Sequence, residues 1–212
     1  MRWAFLIAMM ALLVTTVWTS LLVFDPRAFS GHMGTHMALV AVIAPLAALA
    51  ISGTRWDPSR SWHPGTALLL SFVEFVVVWT WHVPAIRELA ESSAAIRFLE
   101  LVTFLISGSL LWLACIGAGR KADAGLGGAV ALLLTSMHMT LLGVLLTMAP
   151  RPLYGAEDVT CLGVSLTASQ DQQLGGIVML IVGAVVYLAG GVGTVAMYLS
   201  AAVVQPNEGQ RR

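Results

Sequence analysis

Residues 32–52 read HMGTHMALVAVIAPLAALAIS, an apolar run that opens with two histidines. A transmembrane helix needs about 20 predominantly apolar residues at 1.5 Å per residue, and this run supplies them. Similar runs recur along the chain, in which 58% of the 212 residues are hydrophobic and only 10% are charged. A soluble domain is roughly 45–50% apolar, so we expect lipid to be the solvent of this chain.

Six runs meet the length requirement, and they predict an all-α, polytopic membrane helix bundle of about six transmembrane helices within residues 1–204. The predicted spans lie near residues 3–24, 32–52, 66–84, 95–117, 127–149 and 174–203. The alternative for the first run is a secretory signal peptide, which its length and the lack of an Ala-x-Ala site disfavour. Residues 205–212 are predicted to be a disordered cytoplasmic tail.

The Lys and Arg residues predict the orientation, because cytoplasmic loops carry an excess of them. With the N-terminus inside, four arginines fall outside, namely Arg27, Arg87, Arg97 and Arg151, and the other seven Lys and Arg residues fall on cytoplasmic segments. Both termini are therefore predicted to be cytoplasmic, with the long loop 150–173 outside as a small cap. The net charge of zero gives no indication of a nucleic-acid partner. Cys115 and Cys161 fall on opposite sides, so no disulfide is expected between them.

Histidines inside or at the rim of the apolar runs are the first candidates for function, because polar groups in a membrane are costly and usually have a partner or a task. His32 and His36 are four residues apart, so both imidazoles lie on one helix face. That spacing suits a metal ion, although it also occurs in ordinary hydrogen-bonded pairs. His82 closes the third run, where the alternative role is an interfacial aromatic belt. The predicted topology brings the three histidines to one depth on the outer side.

Other polar residues follow the same pattern. His138 lies near the middle of the fifth run and must face the bundle interior, either ligated or hydrogen-bonded. Glu74 lies two helical turns before His82 on about the same face, and Glu100 lies in the outer part of the fourth run. His63, in a loop, is expected to be structural.

The last run and the methionines add further candidates. Asp171 is placed to cap the sixth helix or to act at the site, and Gly175-Gly176 would let a neighbouring helix approach closely. Met33 and Met37 flank the histidines, and thioether with imidazole favours Cu(I), although most buried methionines only pack. The chain has no phosphate loop, CxxCH, HExxH or GxSxG motif, which disfavours the enzymes that these motifs mark.

An ordered set of short motifs from residue 32 to residue 176 resembles the CtaG family of bacterial cytochrome c oxidase assembly factors. The set comprises HMxxHM at 32–37, HP at 63–64, WHxP at 81–84, MH at 137–138, PLY at 152–154 and DQQxGG at 171–176. The chain departs from the family in having Glu100-Leu101 where a Glu-His pair is frequent, and in having fewer predicted helices.

The resemblance implies a non-catalytic protein of the bacterial inner membrane that binds copper and delivers it during oxidase assembly. Oxidase subunits or a copper chaperone would be its partners. In this interpretation, copper is held by His32, His36 and His82, with His138 as a deeper station. Asp171 or Glu100 would orient the imidazoles, and Glu74, Met33 and Met37 would surround them.

Two alternatives remain open from the residues. Two histidines on facing helices can also hold haem b axially, which would make the protein a membrane cytochrome or an accessory oxidase subunit. A transporter could instead move copper or protons along His138, Glu74 and His82, although no internal repeat is visible.

Overall fold

A computed structural model describes residues 2–22, 27–118, 122–155, 157–161 and 163–204. It confirms the predicted all-α class, with 82% of the chain helical. In chain order the elements are α1 Arg2–Leu22, α2 Phe29–Met37, a π-helical turn Ala38–Ile43, α3 Ala44–Ile51, a 3-10 turn Pro58–Ser61, α4 Thr66–Trp81, α5 Pro84–Ser92, α6 Ala94–Ala118, α7 Ala122–Met148, β1 Val159–Cys161, β2 Val164–Leu166 and α8 Ala168–Val204. The predicted tail, residues 205–212, lies outside the described residues.

Four segments of the described chain are long and apolar enough to cross a membrane, and the predicted six are not confirmed. These segments are Phe29–Ile51, Ala94–Gly117, Gly125–Met148 and Ala168–Ser200. A fifth arises if α4 and α5, which bend by 72° at their junction, are counted as one broken span. The described apolar part of α1, Phe5–Thr16, is shorter than a span.

The quoted run forms one helix from Phe29 to Ile51, interrupted only by the π turn. A π turn replaces i→i+4 hydrogen bonds by i→i+5 bonds and changes the direction of its carbonyl groups. The carbonyl of Val40 there accepts a hydrogen bond from Trp112 Nε1 at 3.1 Å, and its oxygen also lies 3.4 Å from the Tyr187 hydroxyl oxygen. The turn is thereby joined to α6 and α8.

The third predicted helix was expected to run to residue 84, but it ends at Trp81 with His82 as its C-cap. Pro84 then begins α5, in a region that was expected to be a loop. Proline suits the first turn of a helix, because its missing N–H would be unpaired there in any case. The helix is short, three of its nine residues are charged, and the residues that it buries are Arg87 and Ala90.

The last helix begins at Ala168, six residues before the predicted start, because a capping box precedes it. Thr167 Oγ1 accepts from the Gln170 N–H at 3.3 Å, while Gln170 Oε1 accepts from the Thr167 N–H at 3.0 Å. The prediction that Asp171 caps this helix is therefore wrong. Its carboxylate instead accepts the backbone N–H groups of Phe29 and Ser30, at 2.6 and 3.1 Å, and so caps α2.

The glycines of the last helix allow the close approach that was predicted. A Cβ atom on Gly175 would lie 2.5 Å from the Phe29 ring, and one on Gly176 would lie 2.5 Å from Thr147 Oγ1. Within the loop predicted to be a cap, β1 and β2 form a small antiparallel hairpin, with Val159 opposite Leu166. Cys115 and Cys161 are both free and buried.

Candidate metal centre

His36 and His82 come together from different helices. His36 lies on α2, His82 follows α4, and their ring centroids are 5.5 Å apart. The His36 ring stacks on Phe104 at 3.8 Å and is fully buried. Within the described chain, neither ring nitrogen of His36 has a hydrogen-bond partner. Leaving a buried polar group unpaired costs about 1–3 kcal/mol, so this imidazole calls for a partner such as a metal ion.

Met33 adds a sulfur atom to this pair. His82 Nδ1 lies 2.6 Å from the Val78 carbonyl oxygen, which can only accept, so Nδ1 carries the proton and donates. The lone pair of a neutral imidazole is then on Nε2, and Nε2 lies 3.4 Å from Met33 Sδ. The thioether is fully buried. Met33, His36 and His82 together form a soft donor set of two imidazoles and one thioether, here called the outer cluster.

His32 is directed to a different set of side chains. Its Nδ1 lies 2.9 Å from Arg87 Nη1, and its Nε2 lies 3.1 Å from Glu100 Oε1. Arg87 Nη1 is also 3.6 Å from Glu100 Oε2, and Arg87 Nε is 3.1 Å from Glu91 Oε1. The Glu100 oxygens lack an aligned donor among the described residues, so Arg87 meets Glu100 as an ion pair and His32 meets it as a close contact, neither through a well-formed hydrogen bond. Glu100, predicted to orient an imidazole, thus lies against His32.

His138 lies on α7. Its ring meets the edge of Phe75 with a centroid distance of 5.3 Å. Like His36, it has two ring nitrogens without a hydrogen-bond partner in the described ranges. It is therefore a second buried imidazole that needs a partner, separate from the outer cluster. His63 is exposed, and its Nδ1 accepts from the Gly65 N–H at 3.2 Å.

Glu74, Met37 and Asp171 lie outside the outer cluster. The Tyr187 hydroxyl donates to Glu74 Oε1 at 2.8 Å, which holds this carboxyl group near the π turn. Met37 is buried in the hydrophobic core. Asp171 acts through the backbone, because it caps the first turn of the helix that carries Met33 and His36.

A cavity of about 350 Å³ opens beside Tyr154, at the end of the bundle that carries the loop 150–173. Its lining includes Glu91, Tyr154, Glu157 and Asp171. The Tyr154 hydroxyl donates to the His82 carbonyl oxygen at 2.7 Å, and its ring stacks on Phe29 at 4.3 Å. Burial raises the pKa of Tyr154 to about 12, against an opposing effect of Arg87, so the hydroxyl stays protonated and donates at neutral pH. The Phe29 ring lies 6.5 Å from the His82 ring, edge to face, so Phe29 and Tyr154 connect the cavity wall with His82.

The donor set determines which ion fits. Across the ranges that the structure describes, no three His, Cys, Asp or Glu side chains converge to hold a metal ion. A structural zinc site needs four such ligands, and calcium or magnesium needs oxygen ligands. Two imidazoles and a thioether, all uncharged and buried, suit Cu(I) instead.

The family model described as cytochrome c oxidase caa3 assembly factor (Caa3_CtaG) matches residues 1–200. The chain belongs to this family. The resemblance that the ordered motifs indicated is thereby confirmed, and Caa3_CtaG membership connects the chain with assembly of cytochrome c oxidase. No curated protein and no solved structure matched the chain.

In this Caa3_CtaG member, three residues at the candidate centre were missed in the sequence. Phe104 stacks on His36, Tyr154 holds the His82 backbone, and Arg87 contacts His32. Tyr154 belongs to the PLY motif and could have been singled out from it. Arg87 carried one signal, since it lies five residues after His82 and four before Glu91, where an i, i+4 ion pair forms on a helix.

Proposed function

We propose that this Caa3_CtaG protein binds Cu(I) and delivers or stabilises it during assembly of cytochrome c oxidase, without catalysing a reaction. His36, His82 and Met33 would be the ligands, and His138 a deeper station. The main support is His36, a fully buried imidazole without a hydrogen-bond partner in the described chain, 5.5 Å from the His82 ring.

The chemistry of transfer supports Cu(I) as the cargo. A monovalent ion held by uncharged ligands places less charge in an apolar environment than a divalent ion would. A site with few ligands also leaves an open edge, where a recipient's ligands can replace those of the carrier one at a time. The cavity beside Tyr154 would offer such an approach, and the predicted topology would open it to the extracytoplasmic side.

Haem b, the first alternative, has less support. A bis-histidine haem needs room for a flat macrocycle between the two imidazoles. Phe104 lies 3.8 Å from the His36 ring, and Met33 Sδ lies 3.4 Å from His82 Nε2, so other side chains occupy that space. The transporter alternative is weakened because Glu74 is hydrogen-bonded to Tyr187 instead of lying beside His82.

The cellular setting is part of the proposal. The protein would reside in the bacterial inner membrane with both termini in the cytoplasm. The loop 150–173 and the outer cluster would face the extracytoplasmic side. Subunits of cytochrome c oxidase or a copper chaperone would be the partners, and the surrounding lipid bilayer would be the solvent of the bundle.

Metal content tests the proposal directly. The chain is purified in detergent, loaded with Cu(I) without oxygen, desalted and measured by elemental analysis. We expect ~1 copper ion per chain at the outer cluster. A His36→Ala, His82→Ala double variant should lose most of it, whereas His63→Ala, which changes an exposed loop histidine, should keep it.

Two outcomes would contradict the proposal. One is unchanged copper in the double variant, provided that circular dichroism and gel filtration show a folded protein. The other is a Soret band in the purified protein that shifts on reduction, because that would assign the histidines to haem. Oxidase activity in membranes of a deletion strain adds a cellular check, since the double variant should fail to restore it and His63→Ala should succeed.

A further inference from the structure

Arg87 is a buried cation beside the outer cluster that the proposed function leaves without a task. Its side chain contacts three groups from three helices, namely His32 on α2, Glu91 on α5 and Glu100 on α6. Only 3% of the residue is exposed. A buried arginine is costly unless it is paired, so a cation kept in this position requires either a structural or a functional reason.

The contact with Arg87 determines the state of His32. A guanidinium group has only donors, so His32 Nδ1, 2.9 Å from Arg87 Nη1, must accept. Its proton then lies on Nε2, which faces Glu100 Oε1 at 3.1 Å. The lone pair of Nδ1 therefore accepts from Arg87, and Nε2, which carries the proton, has no free lone pair. His32 therefore cannot ligate a metal ion while these contacts persist.

His32 is nevertheless well placed to become a ligand. It lies one helical turn from His36 on the same helix, and residues four apart share a face. Loss of the Arg87 contact would free its Nδ1 lone pair on the helix face that also carries His36. The cluster would then offer three imidazoles and a thioether instead of two imidazoles and a thioether.

We propose that Arg87 is a positioning residue that keeps His32 out of the copper ligand set, and that displacing Arg87 adds His32 as a further ligand. The inference rests on the proposed function. Glu91, which pairs with Arg87, also lines the cavity beside Tyr154, so the network extends from the cavity wall to His32. A partner that occupies this cavity and draws Glu91 or Arg87 towards itself would change the number of copper ligands, and with it the affinity.

The test compares three proteins loaded with Cu(I): the wild type, Arg87→Leu and Arg97→Leu. Leucine has neither a hydrogen-bond donor nor an atom that can bind copper. Arg97 is the matched control because it is a neighbouring arginine whose guanidinium donates to the backbone oxygen of Glu91. X-ray absorption counts the imidazoles bound to copper, and competition with a chelator measures the affinity.

We expect two imidazoles in the wild type and in Arg97→Leu, and three in Arg87→Leu. Copper should bind more tightly in Arg87→Leu by about tenfold or more, the range over which groups around a metal's ligands act. Adding His32→Ala to Arg87→Leu should restore the wild-type count. In the protein without copper, nitrogen NMR of labelled histidine should show His32 protonated on Nε2.

The outcomes separate this inference from the proposed function. If the wild type binds no Cu(I), the proposed function fails and this inference fails with it. If copper binds but Arg87→Leu changes neither the imidazole count nor the affinity, only the role of Arg87 is refuted. Three imidazoles in the wild type would also refute it, and that result does not depend on whether the variant folds.

Discussion

His82 is restrained at two points, and this determines the direction of its ring. Nδ1 bonds to the Val78 carbonyl oxygen at 2.6 Å, and its own carbonyl accepts the Tyr154 hydroxyl at 2.7 Å. With the backbone and one nitrogen held, Nε2 is left facing Met33 Sδ at 3.4 Å. A second contact that fixes the tautomer and the ring orientation is what a metal-binding histidine requires.

Met33 and Met37 offer a matched pair for testing the thioether. Both are buried in the core on α2, but only Met33 lies against His82. Met33→Leu should weaken Cu(I) binding, because it removes the sulfur and leaves the volume nearly unchanged, whereas Met37→Leu should not. Both should change the free energy of unfolding by less than about 1.5 kcal/mol. Chelator competition and thermal unfolding provide the two measurements, and equal copper affinities in the two variants would exclude Met33 as a ligand.

The helices are positioned by small residues and by caps that connect separate elements. On α7 and α8, Gly143 and Gly176 face each other so closely that a Cβ on either would lie 2.9 Å from the other's carbonyl oxygen. One turn of chain before Gly176, Asp171 caps α2 through the N–H groups of Phe29 and Ser30. The position of α8 therefore controls the start of the helix that carries His36.

Replacing Gly176 by alanine tests this packing. The new Cβ would meet the backbone of α7, which cannot move aside as a flexible side chain can, so we expect destabilisation by about 1–3 kcal/mol. Gly193 lies on the same helix, and a Cβ added there would have nothing within 4 Å of it. Gly193→Ala should therefore be neutral or slightly stabilising, because alanine favours helix. Thermal unfolding in detergent compares the two, and equal melting temperatures would contradict the packing argument.

At the scale of the whole molecule, the break after α4 places the candidate centre. The chain bends by 72° between α4 and α5, and His82 lies at this bend. Because α4 ends there, the side chain and the backbone carbonyl of His82 are both available for contacts. The helix α5 then places Arg87 in the interior of the bundle. The bend, the start of α2 and the β1–β2 hairpin thus surround one region of the protein.

Site-directed labelling tests the predicted orientation of this region. In a background without Cys115 and Cys161, single cysteines are placed at exposed positions by Trp56→Cys and Asp158→Cys. A maleimide that does not cross membranes should label Asp158→Cys in intact cells and Trp56→Cys only after the membrane is opened, because the excess of Lys and Arg predicts a cytoplasmic loop at residue 56. Labelling with the reverse pattern would invert the topology and place the outer cluster on the cytoplasmic side.

Much of the architecture followed from local patterns in the chain. The apolar runs predicted the helical class, because the cost of placing polar groups in lipid constrains each segment independently. The ordered motifs predicted the family. His82 was predicted at a helix end from Pro84, since proline restricts the residue before it. The helix α5 escaped this reasoning because it is short and three of its nine residues are charged. The six spans were not confirmed, because a broken helix and a short described segment of α1 do not each count as a crossing.

The residues that contact each histidine and carboxylate depend on how the helices are rotated and tilted against one another. His32 and His36 share one spacing motif, yet one faces Arg87 and the other stacks on Phe104. Glu74 and His82 share a predicted face, yet Glu74 bonds to Tyr187, more than a hundred positions further along the chain. A periodicity states which face of a helix is buried, whereas the residues that cover that face come from distant segments. The composition of the candidate centre is for this reason a property of the packed bundle.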